Sequence, residues 1–118
     1  AGLRVPMGDP QSRRVENRVA GADANPYLAI AASLACGYLG MVEALQPTEP
    51  WEGSAYQAPY GLPRGVYEAL NNLNECDPLR RILGERFVAA YYAVKDCEYE
   101  AFFHVISSWE RKYLLLNV

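Results

Sequence analysis

The segment Ser12–Leu28, SRRVENRVAGADANPYL, combines a run of charged residues with the start of a helix. Because side chains alternate between the two faces of a β-strand, Arg14, Glu16 and Arg18 would share one face of a strand here. That face would present a cation, an anion and a second cation in a row. The pattern is typical of a solvated strand face joined by salt bridges, and also of a site that holds a metal ion beside a phosphate group. The spacing alone leaves both interpretations open.

A nucleotide-dependent site would use these residue types in distinct ways. A carboxylate such as Glu16 binds a hard cation, Mg²⁺ or Mn²⁺, through oxygen, whereas the planar guanidinium groups of Arg14 and Arg18 suit phosphate oxygens. Arg4 precedes this strand in the chain and is a candidate to join them. Since one carboxylate does not make a metal site, we expect the remaining ligands to come from residues outside this chain.

The composition is that of an ordinary globular chain near the size of one domain. The net charge of -3 argues against non-specific nucleic-acid binding as the main role. The three cysteines have no C-x-x-C spacing, which argues against a disulfide framework or a zinc site. We interpret them as small buried residues of a cytoplasmic protein. The chain opens AGLRVPMGDP, with no initiator methionine and with strand-like residues already present, so we expect a fragment of a larger protein.

The predicted fold class is an α+β fragment, mostly α, with one or two short strands followed by four or five helices. Strands are expected at about 3–5 and 13–19, and two such strands do not bury a sheet face by themselves. Asn25 is a capping residue and Pro26 suits the first helical position, which predicts a helix over about 27–45. Because this helix is apolar on almost every side, we expect it to be buried in a soluble protein, with a membrane span as the alternative.

The remaining helices follow a proline-containing loop over 46–61, of a length that is usually functional or in contact with a partner. They are expected over about 64–74, from Asp77 to just before Gly84, from Glu85 for about five turns, and after Ser107 through about Leu116. The last of them would begin with a capping box, because Ser107 and Glu110 match the S-x-x-E pattern. His104, the only histidine, is expected to be a core or surface residue of the long helix.

Several motifs together resemble the C-terminal part of the glutamine synthetase family. They are Arg-Val-Pro at 4–6, Ser-Arg-Arg-Val-Glu-Asn-Arg at 12–18, Ala-Asp-Ala-Asn-Pro-Tyr-Leu at 22–28 before an alanine-rich helix, Tyr-Gly-Leu-Pro at 60–63, and Ser-Ser-Trp-Glu at 107–110. The resemblance covers essentially the whole chain in order, and the combination R-[IV]-E-x-R with ANPYL is specific. It implies that residues 1–118 are a C-terminal segment of a glutamine synthetase-like catalytic domain, and that this domain is incomplete here.

The resemblance implies an ATP-dependent ligase that uses Mg²⁺ or Mn²⁺. ATP would phosphorylate the γ-carboxyl group of glutamate, and ammonia or a polyamine would then displace the phosphate. Glu16 would be a metal ligand near the transferred phosphoryl group, Arg4 and Arg14 would contact phosphate, and Arg18 would bind the glutamate carboxylate or the transferred group. The resemblance also implies a homo-oligomeric ring with active sites between subunits. From the charge, the cysteines and the composition of the apolar helix, we expect a cytoplasmic protein with neither nucleic acid nor membrane as a partner.

The motif Val-Glu-Asn-Arg followed by Gly-Ala-Asp-Ala is more similar to the branch of the family that joins glutamate to polyamines such as putrescine than to the branch that uses ammonia. The N-terminal domain, the other carboxylate ligands and the catalytic histidine of the family are not in this chain, so the fragment alone is expected to be inactive or nearly so. Two alternatives remain open. The chain could be a non-catalytic helical interaction module that assembles through residues 27–45 and 46–61, or a membrane-associated protein that uses the apolar helix.

Overall fold

The computed structural model describes residues 2–57, 59 and 61–115 of the chain. It divides into two compact units, with the boundary between Gly61 and Leu62. Unit 1 contains strand β1 (Leu3–Arg4), a 3-10 turn (Pro10–Ser12), strand β2 (Glu16–Asn17), helix α1 (Pro26–Val42) and a second 3-10 turn (Ala55–Gln57). Unit 2 contains helices α2 (Val66–Glu75), α3 (Asp77–Leu83), α4 (Glu85–Phe103) and α5 (Ser108–Tyr113). Two strands and five α-helices within the described residues confirm the predicted α+β, mostly α, fold class.

The two strands form an antiparallel pair in which Arg4 lies opposite Glu16 and Leu3 lies opposite Asn17. Each strand is two residues long, which is shorter than the ranges 3–5 and 13–19 predicted from the sequence. The length of a strand depends on how many of its residues pair with the partner strand. The residue pattern of one strand does not predict that number.

Two local features limit the pairing of the strands. Pro6 has no N–H group to donate to a ladder, so β1 cannot continue through it. On the other strand, Pro10–Ser12 forms a 3-10 turn that occupies the chain just before the predicted start. At the open end one more hydrogen bond joins the N–H of Arg18 to the carbonyl of Gly2, at 2.8 Å.

Helix α1 begins where the sequence predicts. The side-chain oxygen of Asn25 accepts hydrogen bonds from the backbone N–H groups of Tyr27 (3.0 Å) and Leu28 (3.3 Å). The helix ends at Val42, before the predicted Leu45, because Ala44 adopts the left-handed conformation with φ of 50°. The following N–H groups then bond back into the last turn, which is the pattern of a Schellman cap.

The expectation that α1 is buried on most sides is wrong for this chain. Ala35 is the buried residue of the helix, whereas the side chains of one long stripe are exposed: Tyr27, Ile30, Leu34, Tyr38 and Met41. The apolar pattern correctly indicated a helix, but burial requires neighbours, and the described part of unit 1 offers two short strands. Among the described residues, no helix has the length and hydropathy needed to cross a membrane.

The cysteines are also placed differently from the prediction. Cys36, Cys76 and Cys97 are all exposed, so their interpretation as small buried residues is wrong. Burial of a cysteine depends on the helix face it occupies. Cys36 follows the buried Ala35 and therefore points about 100° away from it around the helix.

Helices α2, α3 and α4 pack together in unit 2, where Leu70 and Val88 are buried at 4% and 1% exposure. The predicted boundaries at Asp77 and Gly84 are confirmed, and Gly84 has φ of 94°, a value that glycine adopts readily. The Arg80 guanidinium holds this corner together. It donates to the Asn74 carbonyl (3.1 Å) and to the carboxylates of Asp77 (3.1 Å) and Glu85.

The C-terminal end of unit 2 contains the predicted capping box. The Ser107 hydroxyl accepts from the N–H of Glu110 (3.2 Å), and the Glu110 carboxylate accepts from the N–H of Ser107 (2.7 Å). Hydrogen bonding of the Glu110 carboxylate to the side chain and to the backbone N–H of Ser107 holds the pKa of Glu110 below its usual value. The predicted end of this helix at Leu116 lies outside the described residues. His104 is the exposed residue that caps the end of α4, so of the two positions left open by the sequence, core or surface, it takes the surface one.

Candidate functional site

The antiparallel strand pair gathers three arginines around one carboxylate. Oε2 of Glu16 accepts hydrogen bonds from Nη1 of Arg4 at 3.1 Å and from Nη2 of Arg18 at 3.0 Å. Its Oε1 accepts from Nη2 of Arg14 at 3.1 Å. The structure therefore brings together all four site residues that the sequence suggested, and we call this group the arginine cluster.

The strand geometry explains why these side chains meet. Arg4 lies directly opposite Glu16 in the ladder, and directly opposed residues have neighbouring side chains on one face. Arg14 and Arg18 lie two positions before and after Glu16, where the alternation returns the side chain to the same face. A further bond from Nη1 of Arg14 to the Ser12 carbonyl, at 3.4 Å, helps to orient the Arg14 guanidinium.

The arginine cluster carries three positive charges and one negative charge, and it is open to solvent. The arginine side chains are 50 to 60% exposed, and that of Glu16 is 25% exposed. The hydrogen bond from Arg18 is the main cause that lowers the pKa of Glu16 below its usual value, helped by Arg4 and Arg14 and opposed by partial burial. Glu16 is ionised at neutral pH, since its ordinary pKa of 4.5 is already well below 7 and the arginines lower it further. A surplus of positive charge therefore faces the solvent.

This surplus suits the binding of a phosphate group. Exposed ion pairs contribute little to stability, so the fold gains little from three arginines on one carboxylate. Each guanidinium carries five N–H donors in a planar fork, and the contact with Glu16 uses one nitrogen of each. The same groups can therefore donate to the oxygens of a phosphate, for which charge-assisted bonds from arginine are well suited.

The described residues fit a metal ion only in part. Glu16 can supply a carboxylate oxygen of the kind that Mg²⁺ and Mn²⁺ prefer. Within the part of the chain that the structure describes, however, no group of three or more His, Cys, Asp or Glu side chains lies together. The cluster thus offers a site for an anion and, at most, a single ligand for a cation.

One connection beside the cluster was not predicted. Asn17 lies between Glu16 and Arg18, and its side chain bonds to Ser33 on helix α1 with an Nδ2 to Oγ distance of 2.9 Å. A usable signal was present in the sequence, because Ser33 is a polar residue within a helix that is otherwise apolar. The pairing itself depends on how the strand packs on the helix, and the types of these two residues do not predict that packing.

Comparison with known proteins assigns the chain to a family. The model of the glutamine synthetase catalytic domain matches residues 1–114. The chain is 44% identical to gamma-glutamylputrescine synthetase of Escherichia coli (strain K12), over 98% of this chain and 25% of that protein. It is 36% identical to gamma-glutamylethanolamide synthetase of Streptomyces coelicolor, over 92% of this chain and 23% of that protein. A third relative is glutamate–isopropylamine ligase of a Pseudomonas species, at 39% identity over 82% of this chain and 22% of that protein.

These matches define a class of enzymes, since the names of the relatives describe ligases and synthetases. The chain belongs to the glutamine synthetase family and matches its catalytic domain. It spans about a quarter of the length of the curated relatives it matches.

Proposed function

We propose that residues 1–118 are a C-terminal segment of a catalytic domain, so that this chain contains the domain only in part. We also propose that the full-length protein is an ATP-dependent ligase. This ligase would activate glutamate as γ-glutamyl phosphate and join it to an amine. The observation that carries the proposal is the arginine cluster, in which Arg4, Arg14 and Arg18 surround Glu16. Phosphoryl transfer is catalysed mainly by cations placed where negative charge develops on the phosphate oxygens.

Each residue of the cluster has a distinct proposed role. Arg4 and Arg14 bind phosphate oxygens, and Arg18 binds the glutamate carboxylate or the transferred group. Glu16 contributes one oxygen ligand to a Mg²⁺ or Mn²⁺ ion, whose other ligands lie outside this chain. The bonds that now join the guanidinium groups to Glu16 keep all four side chains oriented towards one another before substrates bind.

The proposed acceptor is a primary alkyl amine, with a polyamine such as putrescine first. The three relatives described above carry the names of three different amines, namely putrescine, ethanolamine and isopropylamine. The identity of 44% to the putrescine enzyme supports that choice. Ammonia is the alternative acceptor.

The proposal extends to the setting of the enzyme. The full-length ligase is proposed to be cytoplasmic and to assemble into a homo-oligomeric ring. The 118-residue chain alone is expected to be inactive or nearly so in phosphate release from ATP, because no group of three or more possible metal ligands lies together in its described residues. An assay of the isolated chain beside the full-length protein checks this expectation.

Phosphate release from ATP in the presence of glutamate tests the assignment of the cluster. In the full-length ligase, we expect Glu16→Ala to lower the rate at least about 1,000-fold and Arg18→Ala to lower it about 100-fold, the range seen when a charge-stabilising group is removed. Arg13→Ala is the matched control, because Arg13 neighbours Arg14 but is not among the arginines bonded to Glu16. Unchanged activity in the Glu16 variant would remove its role as a metal ligand.

The acceptor is tested with the same protein. Rates of phosphate release are compared with ammonium, putrescine, ethanolamine and isopropylamine at equal concentration. The proposal expects the highest kcat/KM with putrescine. A preference for ammonium would keep the ligase assignment and overturn the choice of amine.

One observation favours a second candidate, a non-catalytic interaction module. The outer stripe of α1 is apolar and exposed, with Tyr27 at 82% and Leu34 at 68% exposure. If assembly were the only role, substitution of Leu34 and Met41 by serine would change the oligomeric state of the full-length protein, while the Glu16 and Arg18 variants would behave as the wild type does. Loss of phosphate release in the Glu16 variant would exclude this candidate.

A further inference from the structure

Asn17 of strand β2 lies between Glu16 and Arg18 of the arginine cluster, and its side chain points to the face of the strand opposite theirs. Its amide nitrogen donates to the Ser33 hydroxyl at 2.9 Å, and its Oδ1 accepts from the N–H of Val19 at 3.0 Å. The Ser33 hydroxyl in turn donates to the Ala29 carbonyl on α1, at 2.8 Å. One asparagine side chain therefore fastens the strand both to the helix and to its own continuation.

The strand needs such a fastening because its own pairing is short. β1 and β2 share two residue pairs, and a ladder of this length is marginal in water. Turning β2 about its axis would move Glu16 and Arg18 together, because both leave the same face. The hydrogen bond to Ser33 opposes that turn from the other face, and it is anchored on a helix that Asn25 caps two turns earlier.

We infer that Asn17 and Ser33 are positioning residues, whose hydrogen bond holds Glu16 and Arg18 in the orientation needed for phosphoryl transfer. This inference rests on the function proposed above. Neither residue touches ATP or glutamate in this view; each acts through the two cluster residues that flank Asn17. Small errors in the placement of catalytic groups lower kcat, since catalysis depends on the orientation of reacting groups.

The test compares five variants of the full-length ligase. Asn17→Ala and Ser33→Ala each remove the bond, the double variant removes both partners, and Ser33→Thr keeps a hydroxyl that can still accept from Asn17 and bond the carbonyl one turn earlier. Asn71→Ala is the matched control, because Asn71 is also an exposed asparagine with a side-chain bond, accepting from the Tyr92 hydroxyl at 3.3 Å in unit 2.

We expect each single alanine variant at the bond to lower kcat by roughly 3- to 10-fold, the factor that corresponds to one hydrogen bond. The KM for ATP should stay within about twofold, because in this proposal neither residue touches ATP and the loss falls on the orientation of the catalytic groups. The double variant should lose no more than the more severe single variant, since the two residues act through one bond. Ser33→Thr should restore the rate to within about twofold, and Asn71→Ala should leave it unchanged.

A second measurement separates this inference from the proposed function. Hydrogen exchange of the Arg18 amide, which donates to the Gly2 carbonyl, should quicken in Asn17→Ala and Ser33→Ala and stay slow in Ser33→Thr. If the wild type shows no ligase activity but this exchange pattern appears, the proposed function fails and the fastening of the strand stands. Multiplied losses in the double variant, or exchange rates that do not change, would overturn the positioning role.

Discussion

Leu70 and Val88 are buried among the helices of unit 2, whereas the buried residue described in unit 1 is Ala35, on a helix whose outer stripe is exposed. Unit 2 also contains aromatic side chains in contact, with the Tyr67 and Tyr99 rings edge to face at a centroid distance of 4.9 Å. Within unit 1, polar contacts connect the strands and the helix instead, namely the arginine cluster and the hydrogen bond between Asn17 and Ser33.

The difference teaches that the candidate chemistry and the packed core lie in different parts of the chain. A small apolar core can hold helices in place without any particular polar contact. In unit 1 the site residues are joined by individual hydrogen bonds between exposed side chains, each of which is weak by itself. Unit 1 should therefore be sensitive to the removal of single polar groups, and unit 2 to the removal of buried apolar groups.

The largest expected effect comes from a matched pair of leucine substitutions. Leu70→Ala should lower the free energy of unfolding by about 2–4 kcal/mol, because it removes buried methyl groups and leaves a cavity. Leu34→Ala on α1 should cost less than about 0.5 kcal/mol in the same chain, because Leu34 is 68% exposed. Urea unfolding of the 118-residue chain, followed by circular dichroism, measures both. Equal losses would show that the outer stripe of α1 is covered and would remove the contrast between the units.

A smaller effect is expected at two helix ends that have positive φ. In unit 1 the position after α1 is Ala44 at φ 50°, and in unit 2 the position after α3 is Gly84 at φ 94°. Left-handed backbone costs an alanine roughly 1 kcal/mol relative to glycine. Ala44→Gly should therefore stabilise the chain by about 0.5 kcal/mol, since glycine also loses more entropy on folding.

The reverse substitution serves as the control for that prediction. Gly84→Ala should destabilise the chain by about 1 kcal/mol or more, because nothing lies within 4 Å of the added Cβ and the cost comes from the backbone alone. Melting curves of the two variants and the wild type are compared under one set of conditions. Destabilisation by Ala44→Gly would contradict the conformation assigned to the end of α1.

The helix boundaries were predictable because their signals are local. Asn25 with Pro26 begins α1, Gly84 separates α3 from α4, and Ser107 with Glu110 begins α5. In each case the residues that cap the helix are the residues that identify it. The strands and the burial of α1 were predicted poorly because both depend on partners distant in the sequence.

The candidate site shows the same limit. The period of two in a strand was enough to group Arg14, Glu16 and Arg18 on one face. Arg4 was recognised as a candidate, but its place opposite Glu16 depends on the register of β1 and β2. The Asn17 contact was missed because it joins a strand to a helix, and no periodicity describes such a contact.

The smallest effects are expected from pH, and they should appear at opposite ends of the scale in the two units. In unit 2 the Tyr67 hydroxyl donates to the Glu100 carboxylate at 2.7 Å, and this bond, with partial burial and the charges of Glu100 and Asp96, raises the pKa of Tyr67 above its ordinary value of 10.0. The contribution of this contact to stability is therefore complete below about pH 10 and is lost as the pH rises through the raised pKa. Tyr67→Phe should lower the melting temperature at neutral pH and should bring it closer to that of the wild type near pH 11.

In unit 1 the sign is reversed. The pKa of Glu16 lies below its ordinary value of 4.5, so the contribution of its bonds to Arg18 and Arg4 is complete above that value and is lost as the pH falls through the lowered pKa. The melting temperature of Glu16→Gln should therefore be below that of the wild type at neutral pH and should approach it in acid. The difference between Tyr67→Phe and the wild type should not change in acid. Melting curves of both variants and the wild type across the acid and alkaline ranges test whether the two contacts are lost at opposite ends of the pH scale. If the Glu16 variant converged on the wild type in alkali instead, that result would contradict the lowered pKa of Glu16.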